Sequence, residues 1–297
     1  MAIGEVTVHS ANLKILHAPA DLQTMADAWR RSGKQIGFVP TMGALHEGHA
    51  ALMRQARAAS DVVVASLFVN PTQFGKGEDF AKYPRTLDSD RERARAEGVD
   101  VLFVPDSAAM YPTGYATFVD VEGLSSVLEG ASRPGHFRGV ATVVIKLLNI
   151  VKPHTAYFGQ KDAQQVAVVK RMVADLNIDA RIVVVPTVRE PDGLALSSRN
   201  VYLDAAQRSG APVLHRALRA AAERIRHGVT DAPGLKAEMA DMITSASSGV
   251  VDYLSVAHAE TLMELTTVST GVPVLISLAV RFGTTRLIDN ILVDSNS

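Results

Sequence analysis

Apolar residues fall along this chain in short β-branched runs, separated by stretches in which they recur every three or four positions, a pattern of strands alternating with helices. Gln35 to Val39 is an apolar run ending at Pro40, and Gly48 to Ala59 has the composition of a helix. Val62 to Val69 (VVVASLFV) is nearly continuous, as expected of a strand buried on both faces, and stops at Asn70-Pro71. A helix over Leu87 to Glu97, a stop at Gly98 and a strand over Val99 to Val104 follow. The alternation resumes with a helix at Gly139 to Val151, a strand at Thr155 to Phe158, a helix at Asp162 to Leu176 and a strand at Ile182 to Val185. These elements predict an α/β fold: a Rossmann-like parallel sheet of about five strands with right-handed crossovers.

After Thr187 the character changes. A polar loop, REPDGLALSSRN, leads into two Ala-rich helical stretches, at about Asp204 to His227 and Pro233 to Ser245. Two or three strands are expected after them, at Val250 to Val256, Val274 to Phe282 and Arg286 to Val293. The boundary is placed near Pro186, giving a Rossmann-like domain over 1–186 and a smaller C-terminal α+β domain over 187–297. No solenoid-period repeat or low-complexity tract interrupts either part.

Composition narrows the chemistry. The 297 residues are 47% apolar, which excludes disorder as the main character. Thirty basic against thirty-one acidic residues leave a net charge of −1, so no global field draws the chain to phosphate backbones or anionic lipid, and a nucleic-acid partner is disfavoured. The absence of cysteine removes disulfides, thiolate nucleophiles and cysteine metal sites, which fits a cytoplasmic enzyme. MAIGEVTVHSANLKI has neither a basic n-region nor a sustained apolar core, and the weakly polar stretch Leu265 to Val280 is interrupted by Gly271 and Pro273. Neither secretion nor a membrane span is expected.

The most informative segment is Pro40-Thr41-Met42-Gly43-Ala44-Leu45-His46-Glu47-Gly48-His49, between the first expected strand and helix. Ligands of open parallel sheets bind at the carboxyl ends of strands, where a helix N-terminus offers unpaired N–H groups to phosphate. Gly43 and Gly48 have the spacing of a Walker A loop, but His49-Ala50 replaces its Lys-Ser/Thr, which argues against a P-loop NTPase. His46 and His49, three residues apart, can both face a polyphosphate; equally, one can cap the helix while the other lies at the surface. Zinc is disfavoured, because the segment is not His-Glu-x-x-His.

Thr187-Val188-Arg189-Glu190-Pro191-Asp192-Gly193-Leu194-Ala195-Leu196-Ser197-Ser198-Arg199-Asn200 sets two hydroxyls beside a guanidinium, which suits phosphate oxygens but is also common in surface loops. Phe158-Gly159-Gln160-Lys161-Asp162 lies at another strand-to-helix turn, where Lys161 is either a phosphate ligand or a solvated lysine. Asn70, Gln73 and Gln165 follow strand ends or begin helices; their amides can hydrogen-bond a hydroxylated acid, and Asn70 can instead cap a turn. Asp88 and Asp90 are either magnesium ligands or partners of a helix dipole. Gly75-Lys76-Gly77 is too short for a nucleotide loop and is a candidate lid.

Together these segments, with Phe68-Val69-Asn70-Pro71-Thr72-Gln73-Phe74, Tyr83-Pro84-Arg85-Thr86 and Arg133-Pro134-Gly135-His136-Phe137-Arg138-Gly139-Val140, strongly resemble the pantothenate synthetases, or pantoate:β-alanine ligases, over nearly the whole chain. The His-x-Gly-His and Ser-Ser-Arg segments alone indicate only the wider nucleotidylyltransferase superfamily; the Asn-Pro-Thr-Gln-Phe and Arg-Pro-Gly-His-Phe segments narrow it. The resemblance implies that pantoate and ATP form pantoyl adenylate and pyrophosphate, after which β-alanine displaces AMP to give pantothenate. It further implies that Met42 to His49, Gly159 to Asp162, Val188 and Leu196 to Arg199 line the ATP site, with His49 usually described as a proton donor. His46, His49, Lys161, Ser197, Ser198 and Arg199 then carry catalysis. Gln73 and Gln165 hold pantoate, Gln73 borders the β-alanine site, and Arg133 and His136 lie near the acid substrates. Magnesium, a homodimer and a lid role for the C-terminal domain are implied as well.

Three positions depart from the family pattern: Gln160 stands where glutamate is usual, Ala163 where tyrosine is often found, and Leu196 where methionine precedes the serines. Two other functions fit the same histidines: a nucleotidylyltransferase that keeps the nucleotide on its product, and a silent nucleotide-binding protein. A tRNA synthetase fits least, without a basic appended domain.

Overall fold

The computed structural model describes residues 13–75 and 77–294. The first twelve residues, which carry most of the stretch read for a leader, and Lys76 of the Gly-Lys-Gly segment lie outside the described residues. In chain order the elements are β1 (Lys14–Leu16), α1 (Pro19–Arg31), β2 (Ile36–Thr41), α2 (Glu47–Ala58), β3 (Val62–Leu67), α3 (Leu87–Ala96), β4 (Val101–Phe103), α4 (Ser107–Met110), α5 (Glu129–Ser132), α6 (His136–Val151), β5 (Thr155–Gly159), α7 (Ala163–Asp175), β6 (Arg181–Val185), α8 (Ala205–Gly210), α9 (Val213–Arg226), α10 (Ala232–Ala246), β7 (Val250–His258), β8 (Pro273–Phe282) and β9 (Thr285–Asp294). Among the described residues no helix is long and apolar enough to cross a membrane.

The first sheet has six strands in the order β1-β4-β3-β2-β5-β6, one more than the sequence pattern suggests. The extra strand is β1, three residues long at the sheet edge, paired in parallel with β4 from Lys14↔Val101 to Leu16↔Phe103. Helix α1 also escapes the pattern, because its buried stripe amounts to Leu22 and Ala26. In β3 all six residues are buried, as a strand between two neighbours requires. The order reverses between β2 and β5: the chain builds outward through β3 and β4 on one side and through β6 on the other. Such a switch point is where open α/β sheets bind ligands.

Strand β2 runs through Pro40 instead of ending before it. Gln35 O accepts from Val62 N and Thr41 O from Phe68 N, both towards β3, whereas Ile36 O accepts from His154 N towards β5. Backbone groups of successive residues alternate sides, so Pro40 faces β5, where register pairing ends at Phe38↔Ala156. The missing N–H therefore breaks no ladder bond.

His154 accepts from Ile36 N through Nδ1 at 3.0 Å. Burial, then the nearby Arg30 charge, hold its imidazole below the ordinary value. Because the folded state resists the proton that an unfolded histidine takes near pH 6.5, this contribution to stability is complete above about pH 6.5. It is lost as pH falls through the lowered folded value. The midpoint of thermal unfolding is expected to drop more steeply between pH 7 and 5 for the wild type than for His154→Asn, whose side-chain oxygen keeps the acceptor without titrating; equal slopes would exclude this role.

The chain forms two compact units. One comprises the residues up to Asp120 with Arg138–Phe158 and Met172–Val185; the other comprises Val121–Phe137, Gly159–Arg171 and the residues from Pro186 onward. The first has a core of Val39, Met53, Val63, Ala65, Leu102 and Tyr157. In the second, α9 buries Leu214, Ala217, Leu218, Ala221, Ala222 and Ile225, a stripe at three- and four-residue spacing. That stripe packs with α10 over the antiparallel sheet β7-β8-β9. The long helical stretch expected from Asp204 is two helices, α8 and α9, broken at Ala211-Pro212, since a proline in a helix interior loses one hydrogen bond and clashes with the preceding turn.

Segment Val121–Phe137 joins the second unit through a buried glutamine that sequence reading passed over. Gln164 donates to Leu124 O at 2.8 Å and Val127 O at 2.7 Å, and accepts from Glu129 N at 2.9 Å. Arg286 on β9 adds an ion pair to Glu129 and another to Asp252 at 2.6 Å.

Candidate active site

In the first unit, the segment after β2 is built around one carboxylate. Gly43 and Ala44 have φ values of 90° and 51°, left-handed conformations that cost a non-glycine residue about 1 kcal/mol or more. Asp90, in the first turn of α3 and almost fully buried, offsets that cost by accepting from Ala44 N at 3.0 Å, Leu45 N at 2.7 Å and Thr86 Oγ1 at 3.2 Å. A Cβ on Gly43 would stand 3.1 Å from Asp90 Oδ2, a second reason for glycine there. Of the two roles left open for Asp88 and Asp90, the structure favours that of helix-terminal acids. Both oxygens of Asp90 are occupied by the loop, and Asp88 is an exposed acid in the first turn of α3, where it complements the helix dipole.

The loop delivers the two histidines to the start of α2. His46 is the N-cap and accepts from Gly48 N through Nδ1 at 3.1 Å, while His49 Nδ1 accepts from His46 N at 3.2 Å, a capping box made of two imidazoles. Their ring centroids are 4.2 Å apart. Because both Nδ1 atoms accept backbone N–H bonds, each neutral ring carries its proton on Nε2, as a donor. Capping engages Nδ1 of each ring, so the two readings that the sequence leaves open do not exclude one another.

Asn70 caps the turn after β3. It is buried, accepts from Thr72 N at 3.3 Å, Thr72 Oγ1 at 3.0 Å and Tyr111 Oη at 2.8 Å, and donates to Gln73 Oε1 at 3.0 Å and Gly139 O at 3.1 Å. These bonds hold the turn and position Gln73, whose Nε2 lies 3.3 Å from Met42 Sδ. Helix α6 approaches this turn closely: a Cβ on Gly139 would overlap Thr72 O and Gln73 Cα. Gly139→Ala is expected to destabilise the protein by about 1 to 3 kcal/mol through overpacking and to displace Gln73. A lower unfolding midpoint in thermal melts would show the overpacking, and an unchanged midpoint would refute it.

In the second unit, Gln160–Asp162 forms a single 3-10 turn ahead of α7, and the side chain of Gln160 donates to Asn290 at 2.9 Å. One pocket gathers Lys161, Asp162, Gln165, Arg133 and His136, candidates from two separate stretches of sequence. Arg133 Nη1 is 3.1 Å from His136 Nε2. Tyr253 also lines it, and burial followed by the Glu129 charge raises its hydroxyl far above the usual range, so it stays protonated. Ser197, Ser198 and Arg199 lie outside this lining. They follow a small hairpin bridged at Arg189↔Ala195, and Ser197 Oγ accepts from Arg199 N at 3.2 Å as the cap of the Ser198–Tyr202 turn. Val188 O accepts from Leu196 N at 3.0 Å, which places both at the base of the same hairpin.

Asp90 gave a weak signal in the sequence, as an acid in a first helical turn, which did not reveal it as the acceptor of the histidine loop. Asn290 had none, because its partners are 129 and 130 residues away.

Comparison with known proteins identifies the family. The profile of the Pantoate-beta-alanine ligase family matches residues 14–292. A pantothenate synthetase of Acetivibrio thermocellus is 51% identical over 282 residues, covering 95% of this chain and 100% of the relative. That of Chloroflexus aurantiacus is 54% identical over 282 residues, covering 95% and 99%. The pantothenate synthetase structure from Thermus thermophilus superposes with a TM-score of 0.87 at 48% identity, covering 94% of this chain and 99% of that one. A pantoate-beta-alanine ligase from Francisella tularensis, complexed with beta-gamma ATP and beta-alanine, superposes with a TM-score of 0.76 at 36% identity, covering 94% and 97%. With the fold and nearly the whole length in common, the chain belongs to the pantoate-beta-alanine ligase family.

Proposed function

We propose that this chain condenses pantoate with β-alanine at the expense of ATP, releasing pantothenate, AMP and pyrophosphate through pantoyl adenylate. The observation that carries the reading is the capping box of His46 and His49, which fixes two imidazoles at a helix start with their protons on Nε2. The Francisella tularensis relative, complexed with beta-gamma ATP and beta-alanine, supports the same substrates here.

In the first step a pantoate carboxylate oxygen bonds to the α-phosphorus and the bond to the bridging oxygen breaks, leaving pyrophosphate. In the second, the free amine of β-alanine bonds to the acyl carbon, AMP departs with the electron pair of the C–O bond, and the amine loses a proton. No enzyme nucleophile is needed; the protein aligns reactants and stabilises charge moving onto pyrophosphate. His46, His49, Lys161, Ser197, Ser198 and Arg199 supply the donors and cations, with Met42 to Leu45, Glu47, Gly48, Gly159, Gln160, Val188 and Leu196 as the surrounding nucleotide contacts. Gln73 and Gln165 hold pantoate, and Arg133 and His136 attend the acid substrates.

Magnesium fits this donor set as an ion carried in on the triphosphate. Asp162, an exposed carboxylate beside Lys161 on the cavity lining, is the residue that would hold it or its waters, and its charge would offset that of the phosphates. A homodimer, a cytoplasmic location and a lid role for the C-terminal domain complete the reading.

The test is exchange of labelled pyrophosphate into ATP, with magnesium and pantoate but without β-alanine. Exchange that requires pantoate, followed by release of one AMP per pantothenate once β-alanine is added, is expected. Exchange independent of pantoate, or ATP binding without exchange, would overturn the assignment.

A further inference from the structure

Two adjacent residues of β9 hold the two loops of the second unit to which phosphate ligands are assigned. Asn290, 4% exposed, donates from Nδ2 to Gln160 O at 3.0 Å and Lys161 O at 2.9 Å, and its Oδ1 accepts from Gln160 Nε2 at 2.9 Å. Both amide donors are therefore spent on one short turn. Asp289, 3% exposed, takes the guanidinium of Arg189 in a fork at 2.6 and 2.9 Å. Arg189 Nη1 also donates to Gly193 O at 3.2 Å, closing the hairpin from which Ser197, Ser198 and Arg199 emerge. The two clamps are joined, because Asn290 N donates to Asp289 Oδ1 at 2.8 Å.

A lysine ammonium on four rotatable bonds can be placed only as well as the backbone that carries it. That backbone, in a turn of three residues, has its carbonyls fixed from β9. A forked, buried, charge-assisted pair is the strongest common means of fixing a loop, and a buried amide with every donor used gives direction as well as energy. We infer that Asn290, supported by Asp289, is a positioning residue for adenylate formation: it sets the Lys161 turn, while Asp289 beside it holds the hairpin that leads to Ser197, Ser198 and Arg199. The inference rests on the functional reading above, and neither residue touches a reacting atom.

The test is Asn290→Asp, which keeps shape and volume but turns two donors towards carbonyl oxygens into acceptors. Asn290→Ser, too short to reach both carbonyls, is the second variant. Pantoate-dependent pyrophosphate exchange is expected to lose about 10- to 100-fold in kcat/KM for ATP, as for a displacement near 1 Å, with KM for pantoate within about twofold of the wild type. In a Lys161→Ala background the same substitution is expected to cost less than about threefold, because its effect passes through Lys161. Additive losses, a single-variant loss below about threefold, or unfolding of both variants would overturn the inference and leave Asn290 a residue of the fold alone. Absence of pantoate-dependent exchange in the wild type would instead overturn the functional reading, so the two failures are distinguishable.

Discussion

Alanine at Lys161 is expected to slow pantoate-dependent pyrophosphate exchange by about 30- to 900-fold while leaving the unfolding midpoint nearly unchanged. The range corresponds to about 2 to 4 kcal/mol of transition-state stabilisation, the usual worth of one preorganised donor. Lys161 is part-exposed in a single turn held by its backbone carbonyl, so removing its side chain opens no core cavity. His49 requires more care, because its Nδ1 also caps α2. His49→Asn offers an oxygen to His46 N and deletes only the Nε2 donor; a comparable loss of rate, with the cap and the melting temperature retained, is expected. Single-turnover exchange at saturating ATP measures both variants, and wild-type rates in the two together would remove these residues from the chemistry.

Removing the carboxylate of Asp90 is expected to damage stability and activity at once. Asp90→Ala leaves Ala44 N and Leu45 N without their acceptor in a buried loop, at about 1 to 3 kcal/mol for each unsatisfied donor. It also releases two left-handed residues, Gly43 and Ala44, that lead directly into the histidine pair. A fall of roughly 5 to 10 °C in the unfolding midpoint should therefore accompany a loss of exchange as large as that of His49→Asn. Asp90→Asn, which keeps one acceptor oxygen, should fall between Asp90→Ala and wild type on both scales. Intact exchange in Asp90→Ala would show that the histidines hold their place without the clamp.

The same comparison shows what can be read locally. Strand β3, with six buried residues in a row, and helix α9, with its three- and four-residue stripe, announce themselves because the spacing of apolar side chains reports which faces are covered. The histidine segment was legible for a related reason: its glycines, its position between strand and helix and its two imidazoles all lie within ten residues. Pro40 misled because a missing N–H stops a strand only on the side where a neighbour waits, and that side is known only from the sheet.

What the amino-acid sequence determined by itself was the alternation of elements, the type of sheet and the family, all of which depend on periodicity and on motifs contiguous in the chain. Tertiary structure alone decided that β1 joins β4 across more than eighty residues, that Asp90 serves the histidine loop, that Asn70 positions Gln73, and that Asn290 governs the Lys161 turn from 129 residues away. These are polar or edge contacts between distant segments. A buried hydrogen bond leaves no periodic trace in either partner, so only the folded chain shows which donor has found which acceptor.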